Sequence, residues 1–515
     1  MLRPFLTPQP TSSANTTEVS ARAALWAVIL IGIVFRLAWA AAWEASNDEA
    51  YHYLYTTHAD LSYFDHPPMT AWVAQLGLLL CGGWVHPISL RLGFILMFAA
   101  TTWLLARWTA RWFNPWAGVY AAILLNLSGY YASVGGFALP DVPCAFFSLL
   151  TMYALGEALV AQPGRFWPWV WVGLGFGGAM LSKYYAVFLP ASAVLYILLT
   201  PGSRRLLRTP GPYVAVGLGF ALFSPVLIWN AANGWASFRF QGARAVGLTF
   251  KPIGLIAFVF GPFVYLFPWV WYPLTRALAV RVRHLGSVVG IERVMVCLAL
   301  VPLAFFGVVS CNRWLLLHWP IIGFLPLFPL AGAAWAASAT AEPTRARRRI
   351  ALMIGVILAI TAVGLAHARF GAFHFPNKDP LEDISGWESV ATELDARGLV
   401  GQPKTFLFTT KWYESGQLAF AIRERSPVLC LNDGDARGFA FWSKPADWIG
   451  WNGYLVTTEK QPWEVDVIGP YFERVRKVAE FPMTRGGVTY RPVMVWKFVN
   501  QRYPFPFNYP IDGKK

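Results

Sequence analysis

Side chains able to do acid–base or anion-binding chemistry are scarce in this chain, and they are not scattered. The stretch "NDEAYHYLYTTHADLSYFDHPPM" (47–69) carries Asp48, Glu49, His52, Asp65 and His66 directly after an apolar segment. Further along come Asp141 in "LPDVPCAFF", Lys183 in "LSKYYAVFLP", Arg239 and Arg244 in "WNAANGWASFRFQGAR", Lys251, and Arg313 and His318 just before "WPIIGF". Carboxylates of this kind take a proton from a nucleophile or orient it. Lysine and arginine hold phosphate oxygens. A charge at the bilayer centre costs roughly 2.5–3.5 kcal/mol on insertion scales and less near the interface. Acids and cations gathered at one boundary of an apolar protein therefore suit a ligand that is both anionic and lipidic.

Each residue also has a purely structural explanation. Ser46 and Glu49 fit an S-x-x-E capping box opening the helix "EAYHYLYTTH". Asp48, His52 and Tyr55 share a face of that helix at i, i+4, i+7, with His52 read as a satisfied interfacial histidine. Asp65 and Asp141 precede prolines and could cap helices. Lys183 could snorkel to the interface, and Arg239 and Arg244 could meet lipid phosphates.

The elements that must position these residues follow from composition. Of 515 residues, 56% are hydrophobic and 13% charged, against about 25% charged in a soluble protein. Apolar runs of membrane-crossing length predict eleven spans, near 22–43, 88–107, 114–134, 139–160, 166–181, 183–200, 212–231, 253–275, 292–310, 315–338 and 350–367. The basic segments 106–113, 201–210, 275–293 and 342–349 then all fall on one side, the cytoplasmic one by the positive-inside rule. That leaves 44–87, 135–140, 232–252, 311–314 and the C-terminal region outside. The net charge of +15 is mainly topogenic and gives no support to a nucleic-acid partner. After residue 367 lysines become common and "KTFLFTT", "SPVLCLN" and "NGYLVTTEK" read as strands around the helix "YESGQLAFAIRER". The predicted organisation is a cytoplasmic tail (1–21), a polytopic α-helical membrane domain with outer-loop juxtamembrane helices (22–367), and a soluble outer α/β domain (368–515).

In ordered sequence, "NDEAYHYLY", "LSYFDHPPMTAW", "LPDVPCAFF", "LSKYYAVFLP", "WNAANGWASFRFQ" and "HWPIIGF" resemble the GT-C fold polyprenyl-phosphate-dependent glycosyltransferases. The likeness is to the bacterial branch related to the lipid A aminoarabinose transferase and the protein O-mannosyltransferases. It implies inverting transfer of a sugar from a polyprenyl (undecaprenyl-type) monophosphate at the periplasmic face of the bacterial inner membrane. The acceptor implied is a glycolipid such as lipid A or lipopolysaccharide core, or else a protein hydroxyl. Asp48 falls at the family's catalytic acid, with Glu49 beside it, and Asp141 at a second acidic position. Asp65 and His66 fall where that transferase has an acid followed by a phosphate-binding lysine, so His66 replaces the lysine. Lys183, Arg239 and Arg313 are placed to contact the donor phosphate. Asp65 is a candidate ligand for a divalent ion; no cofactor beyond such an ion is implied.

Two other classes compete. A secondary transporter or flippase carries ionisable residues near the midplane and inverted repeats; here the charges lie at one boundary and no repeat is visible. A membrane-anchored protein whose outer domain alone binds a partner leaves the charged loops of the membrane half unexplained.

Overall fold

In lipid, backbone groups must bond within their own segment, and the apolar stretches accordingly form helices. The computed structural model describes residues 12–245, 252–312, 316, 318–373, 375, 379, 381–459 and 462–507. Helix α1 (Ser12–Ala42) is followed by two helices within the first loop, α2 (Asn47–Thr57) and α3 (Met69–Leu80), and by α4 (Pro87–Trp112). Next come α5 (Pro115–Asn126), α6 (Gly129–Val134), α7 (Asp141–Gly156), α8 (Trp167–Met180), α9 (Phe188–Leu199) and α10 (Gly211–Ala232). The membrane half closes with α11 (Ala236–Ala245), α12 (Pro252–Leu266), α13 (Pro268–Arg283), α14 (Gly290–Ser310), α15 (Ile321–Phe324), α16 (Phe328–Ala341) and α17 (Pro343–Phe370).

Two of the eleven expected apolar runs are broken into shorter helices. Among the described residues, seven helical segments are long and apolar enough to cross a membrane, while Met69–Leu80, Tyr184–Leu199 and Ile253–Leu266 are apolar but shorter. The reason is local. The run 253–275 breaks at Phe267, whose φ is 66°, and restarts at Pro268. The run 114–134 breaks where Ser128 caps α6 by accepting from the Tyr131 N–H at 3.2 Å. A 12-residue helix rises only about 18 Å, short of the roughly 30 Å hydrocarbon core. The first loop contains the expected juxtamembrane helices, α2 and the apolar α3.

Helices α3 and α4 approach so closely that a Cβ on Gly93 would overlap the Val73 carbonyl, and one on Gly77 the Ser89 carbonyl. The basic segments collect at one end of the bundle, where Arg111 pairs with Glu157 at 2.8 Å and Arg281 with Glu292 at 2.9 Å. Arg293 donates there to the Leu199 carbonyl at 3.0 Å. The acids of the first loop lie at the opposite end.

That opposite end carries the C-terminal domain. Its five-stranded mixed sheet has the order β2-β1-β3-β5-β4, from β1 (Thr405–Thr409), β2 (Val428–Cys430), β3 (Asn452–Thr457), β4 (Phe472–Arg485) and β5 (Val488–Gln501). β1 runs parallel to β2 and β3, whereas β5 is antiparallel to both β3 and β4. The two longest helices beside the sheet are α18 (Trp387–Ala396) and α19 (Trp412–Ala421). The expected strands and the helix between the first two are present; the long β4–β5 hairpin was not anticipated.

Helix α19 packs directly on α2. A Cβ on Gly416 would come within 3.1 Å of the Tyr51 backbone, so a larger residue there would push the two helices apart by a few tenths of an ångström. Gln417 Nε2 donates to the Ala45 carbonyl at 2.8 Å and to Asn47 Oδ1 at 3.0 Å. Thus α2 is held between the bundle and the outer domain. Gly93→Val should separate α3 from α4 and destabilise the fold by about 1–3 kcal/mol, measured as a lowered melting temperature in detergent. The same change at Gly217, where a Cβ meets nothing within 4 Å, should leave the melt near wild type.

Candidate functional site

The first-loop acids take different positions, and the helix α2 decides which. Ser46 and Glu49 form the expected capping box at its start. The Glu49 carboxylate is fully buried and bidentate with Arg91 of α4, at 2.7 and 2.8 Å. It also accepts from the backbone N–H groups of Ala138 and Ser46, each at 2.9 Å. Burial alone would raise its pKa; Arg91 and these donors bring it below the usual value. Glu49, expected among the catalytic residues, therefore sits in a closed polar knot joining α2, α4 and the 138 turn. His52 is buried and its Nδ1 lies 2.9 Å from the Ala138 carbonyl, in keeping with its reading as a satisfied histidine. Asp48, one residue before Glu49, is exposed.

Asp65 is 2% exposed. Its Oδ1 accepts from the Tyr51 hydroxyl at 3.2 Å and from the Tyr55 hydroxyl, and its Oδ2 is paired with Arg437 Nη1 at 3.1 Å. Arg437 belongs to the C-terminal domain. Its guanidinium lies 3.7 Å from the Trp412 ring centroid, and the next backbone N–H, of Gly438, donates to the Tyr51 hydroxyl at 2.9 Å. Burial would raise the Asp65 carboxyl, but Arg437 and the Tyr55 hydroxyl hold it below the ordinary carboxylate value. Gln241 of α11 donates to the Asp65 carbonyl at 2.7 Å.

Asp141 opens α7 and is bidentate with Lys183 Nζ, both distances being 2.8 Å. The Tyr130 hydroxyl donates to Asp141 Oδ1 at 2.5 Å, and its ring stacks against His318 at 6.1 Å. Lys183 sits in an extended residue (φ −150°) between helices, which is why its side chain reaches the start of α7. A small hollow of about 20 Å³ beside this pair is lined by Tyr131, Tyr185 and Ile321 among others.

His66 links the two ionic centres. It stacks edge-on to His52 at 5.5 Å and lies within electrostatic reach of Asp65, Lys183 and Asp141. Burial pushes its imidazole down to about 3, so at neutral pH it is an uncharged group able to donate one hydrogen bond. Asp48 adds to the field at Arg437, after Asp65 and two nearer neighbours. The two ionic centres are therefore coupled through the field at His66 and not by a chain of direct contacts among the described residues.

The remaining expected residues fall outside these centres. Arg239 is exposed on α11 and takes no part in the ion pairs above. Arg313 lies outside the described residues. For Asp65, expected as a metal ligand, the neighbours are a cation and two phenols; among the described residues no group of three or more His, Cys, Asp or Glu could hold a metal ion. Neither Asp65 nor Asp141 is a helix cap by its side chain, since prolines occupy the cap positions of α3 and α7. Sequence reasoning missed Arg91, Tyr130 and Arg437. It also missed Arg36, buried in α1, which holds Tyr131 beside Tyr130 through Nη2 donation to the Tyr131 carbonyl at 2.9 Å. A lone buried arginine in an apolar run was a usable signal for Arg36 and Arg91; Arg437 in "NDGDARGFAFW" offered none.

This arrangement can be set beside known proteins. The family described as dolichyl-phosphate-mannose-protein mannosyltransferase matches residues 65–229. Lipid A galacturonosyltransferase RgtD of Rhizobium johnstonii is 29% identical over 219 residues, 40% of this chain and 41% of that protein. An uncharacterized protein of Aquifex aeolicus is 32% identical over 146 residues, 28% of either chain. The chain thus spans less than half the length of the curated relatives it matches. Among solved structures, ArnT from Cupriavidus metallidurans in the apo state superposes with a TM-score of 0.61 at 16% identity, over 94% of this chain and 98% of that one. ArnT bound to undecaprenyl phosphate gives 0.63 at 17%, over 91% and 97%. The fold is the GT-C membrane fold, outer domain included, and the resemblance drawn from the sequence motifs holds.

Arg437→Gln leaves Asp65 buried without its cation and should cost about 3–5 kcal/mol, read by denaturation of the detergent-solubilised protein. Adding Asp65→Asn should recover a large part of that loss. A second expectation concerns pH. The unfolded imidazole of residue 66 takes a proton near 6.5 and the folded one only near 3. Between those values the unfolded state binds more protons, so stability is retained above 6.5 and falls as pH drops through that window. His66→Gln should flatten that part of the melting-temperature profile.

Proposed function

We propose that this protein is an inverting glycosyltransferase. It moves a sugar from a polyprenyl monophosphate carrier to an envelope glycolipid, lipid A or lipopolysaccharide core, at the bundle end covered by the C-terminal domain. The basic segments at the other end support assigning the covered end to the periplasm. The observation that carries the reading is the two ionic centres, Asp141–Lys183 and Asp65–Arg437, coupled through the field at His66 at the rim of a GT-C fold.

The chemistry assigns roles as follows. The acceptor oxygen attacks the anomeric carbon from the face opposite the phosphate, and the carbon–oxygen bond to phosphate breaks with its electron pair passing to the carrier. The transition state has oxocarbenium character at carbon, as in other glycosyl transfers, and growing negative charge on the phosphate, which fixed cations stabilise. Lys183 uses two of its three protons on Asp141 and directs the third at the phosphate. Asp141 therefore positions the cation. Neutral His66 donates to the same phosphate. Asp48, with its exposed carboxylate, takes the acceptor proton when the acceptor is a hydroxyl and orients it when the acceptor is already ionised. Glu49 acts through α2, holding Asp48 in place.

The match of residues 65–229 to the protein mannosyltransferase family favours one second reading, with a protein hydroxyl as acceptor. Mass spectrometry of lipid A and envelope glycoproteins from cells lacking the protein separates them: loss of a sugar from lipid A or core supports the first. An unchanged glycolipid profile with altered glycoproteins replaces it with the second. With purified protein, Asp48→Asn should lower kcat by about 10²–10⁴-fold while a polyprenyl phosphate still binds. Lys183→Gln should instead weaken that binding. Indifference of turnover to both changes would remove the proposal.

A further inference from the structure

Far from these ionic centres lies a groove of about 820 Å³ among α13, α14, α16 and α17. Its size falls in the range of about 300–1,000 Å³ occupied by small-molecule sites. The groove is zoned along its length. At its rim stand Arg276, Arg349, Ser338 and the Arg281–Glu292 pair. Towards the middle of the bundle the same helices present Trp269 and Tyr272 from α13, Leu330 and Ala334 from α16, and Leu352 and Val356 from α17.

The rim lies at the bundle end away from the outer domain. Helix α17 is 28 residues long, and at 1.5 Å per residue Arg349 stands roughly 30 Å from the Phe370 end that adjoins the C-terminal hairpin. The direction is the same on α13, whose last turn carries Arg281 and whose first turn carries Trp269, bonded to the Leu127 carbonyl at 2.8 Å. Two helices, α13 and α17, thus agree in placing cations towards one end and apolar surface deeper, and α16 adds Ser338 at the rim. Arg281 is already neutralised by Glu292, whereas Arg276 and Arg349 are exposed. Basic pockets between membrane helices are where anionic headgroups bind.

We propose that this groove holds an anionic phospholipid, its phosphate between Arg276 and Arg349 and one acyl chain along Tyr272, Leu352 and Val356. The occupant would do structural work. Only 17% of the apolar window of α17 is buried within the protein, yet α17 is the helix that joins the membrane half to the outer domain. A lipid wedged between α13, α16 and α17 would fix its tilt. The site is independent of the transferase reading, since its phosphate level is at the opposite end from Lys183 and Asp141.

The test uses the full-length protein and native mass spectrometry with phosphatidylglycerol, phosphatidylcholine and undecaprenyl phosphate as probes. Phosphatidylglycerol should be retained in preference to phosphatidylcholine and should raise the melting temperature. Arg276→Gln with Arg349→Gln should weaken phosphatidylglycerol binding roughly 30-fold, taking about 1 kcal/mol per basic residue at a membrane surface. Ala334→Trp, which fills the groove and keeps both arginines, should also abolish it. Equal retention of the two phospholipids, or unchanged binding in both variants, would overturn the proposal. So would displacement of phosphatidylglycerol by an equimolar amount of undecaprenyl phosphate, which would give the groove to the carrier lipid instead.

Discussion

A carboxylate buried at the edge of a membrane has to be given a cation, and for Asp65 that cation is Arg437, 372 residues away in the sequence. Leaving either charge unpaired in a low-dielectric setting is worth several kcal/mol, so the contact is an obligation placed on the whole chain. To meet it, the outer domain must sit on α2 with α19 facing Tyr51. Gly416 permits that approach, Trp412 supports the guanidinium, and the Tyr51 hydroxyl joins Gly438 to Asp65. The geometry of the first loop follows from this one pairing together with the Glu49–Arg91 knot on the other side.

The same logic orders the rest of the rim. Glu49 and Asp65 are buried and Asp141 half-buried, each against a partner cation, and each pairing spans different elements: α2 with α4, the first loop with the outer domain, α7 with the segment before α9. Glu49–Arg91 and Asp141–Lys183 are bidentate, a geometry that tolerates little displacement of the elements it joins, while Asp65–Arg437 is a single contact. Asp48 is different in kind. It occupies the first turn of a helix fixed on both flanks and keeps its carboxylate in contact with solvent, the state a proton acceptor needs. Between the pairs, His66 is held neutral by burial, so it can bond an anion there without adding a full charge.

Much of this was legible in the sequence, and the limits have physical causes. The acids of the first loop, Asp141 and Lys183 were found because charges stand out against an apolar background where each carries a desolvation penalty. Their assembly at one end followed from the distribution of arginines among the loops. The strands β1, β2 and β3 were readable as short apolar runs bounded by turn residues. What could not be read was pairing. Nothing about Asp65 distinguishes a partner on α7 from one in a loop hundreds of residues later, and Arg437 has the surroundings of any surface turn. Helix breaks at Phe267 and Leu127 were hidden because apolar residues continue through them, and hydropathy does not register backbone direction. The β4–β5 hairpin was missed because β4, "FERVRKVAEFPMTR", alternates with so many charges that its apolar face is thin.

The way α2 is clamped bears on how the chain can be divided. A cut after Phe370, at the apparent border between lipid-soluble and water-soluble halves, would strip Tyr51 of its helix neighbour and strand Asp65 with no countercharge. The covalent border and the cooperative border therefore do not coincide. Recombining membrane halves and outer domains from different relatives would be expected to give working chimeras only where the incoming partner supplies an arginine in the same spot, or where the receiving loop has lost its acid as well.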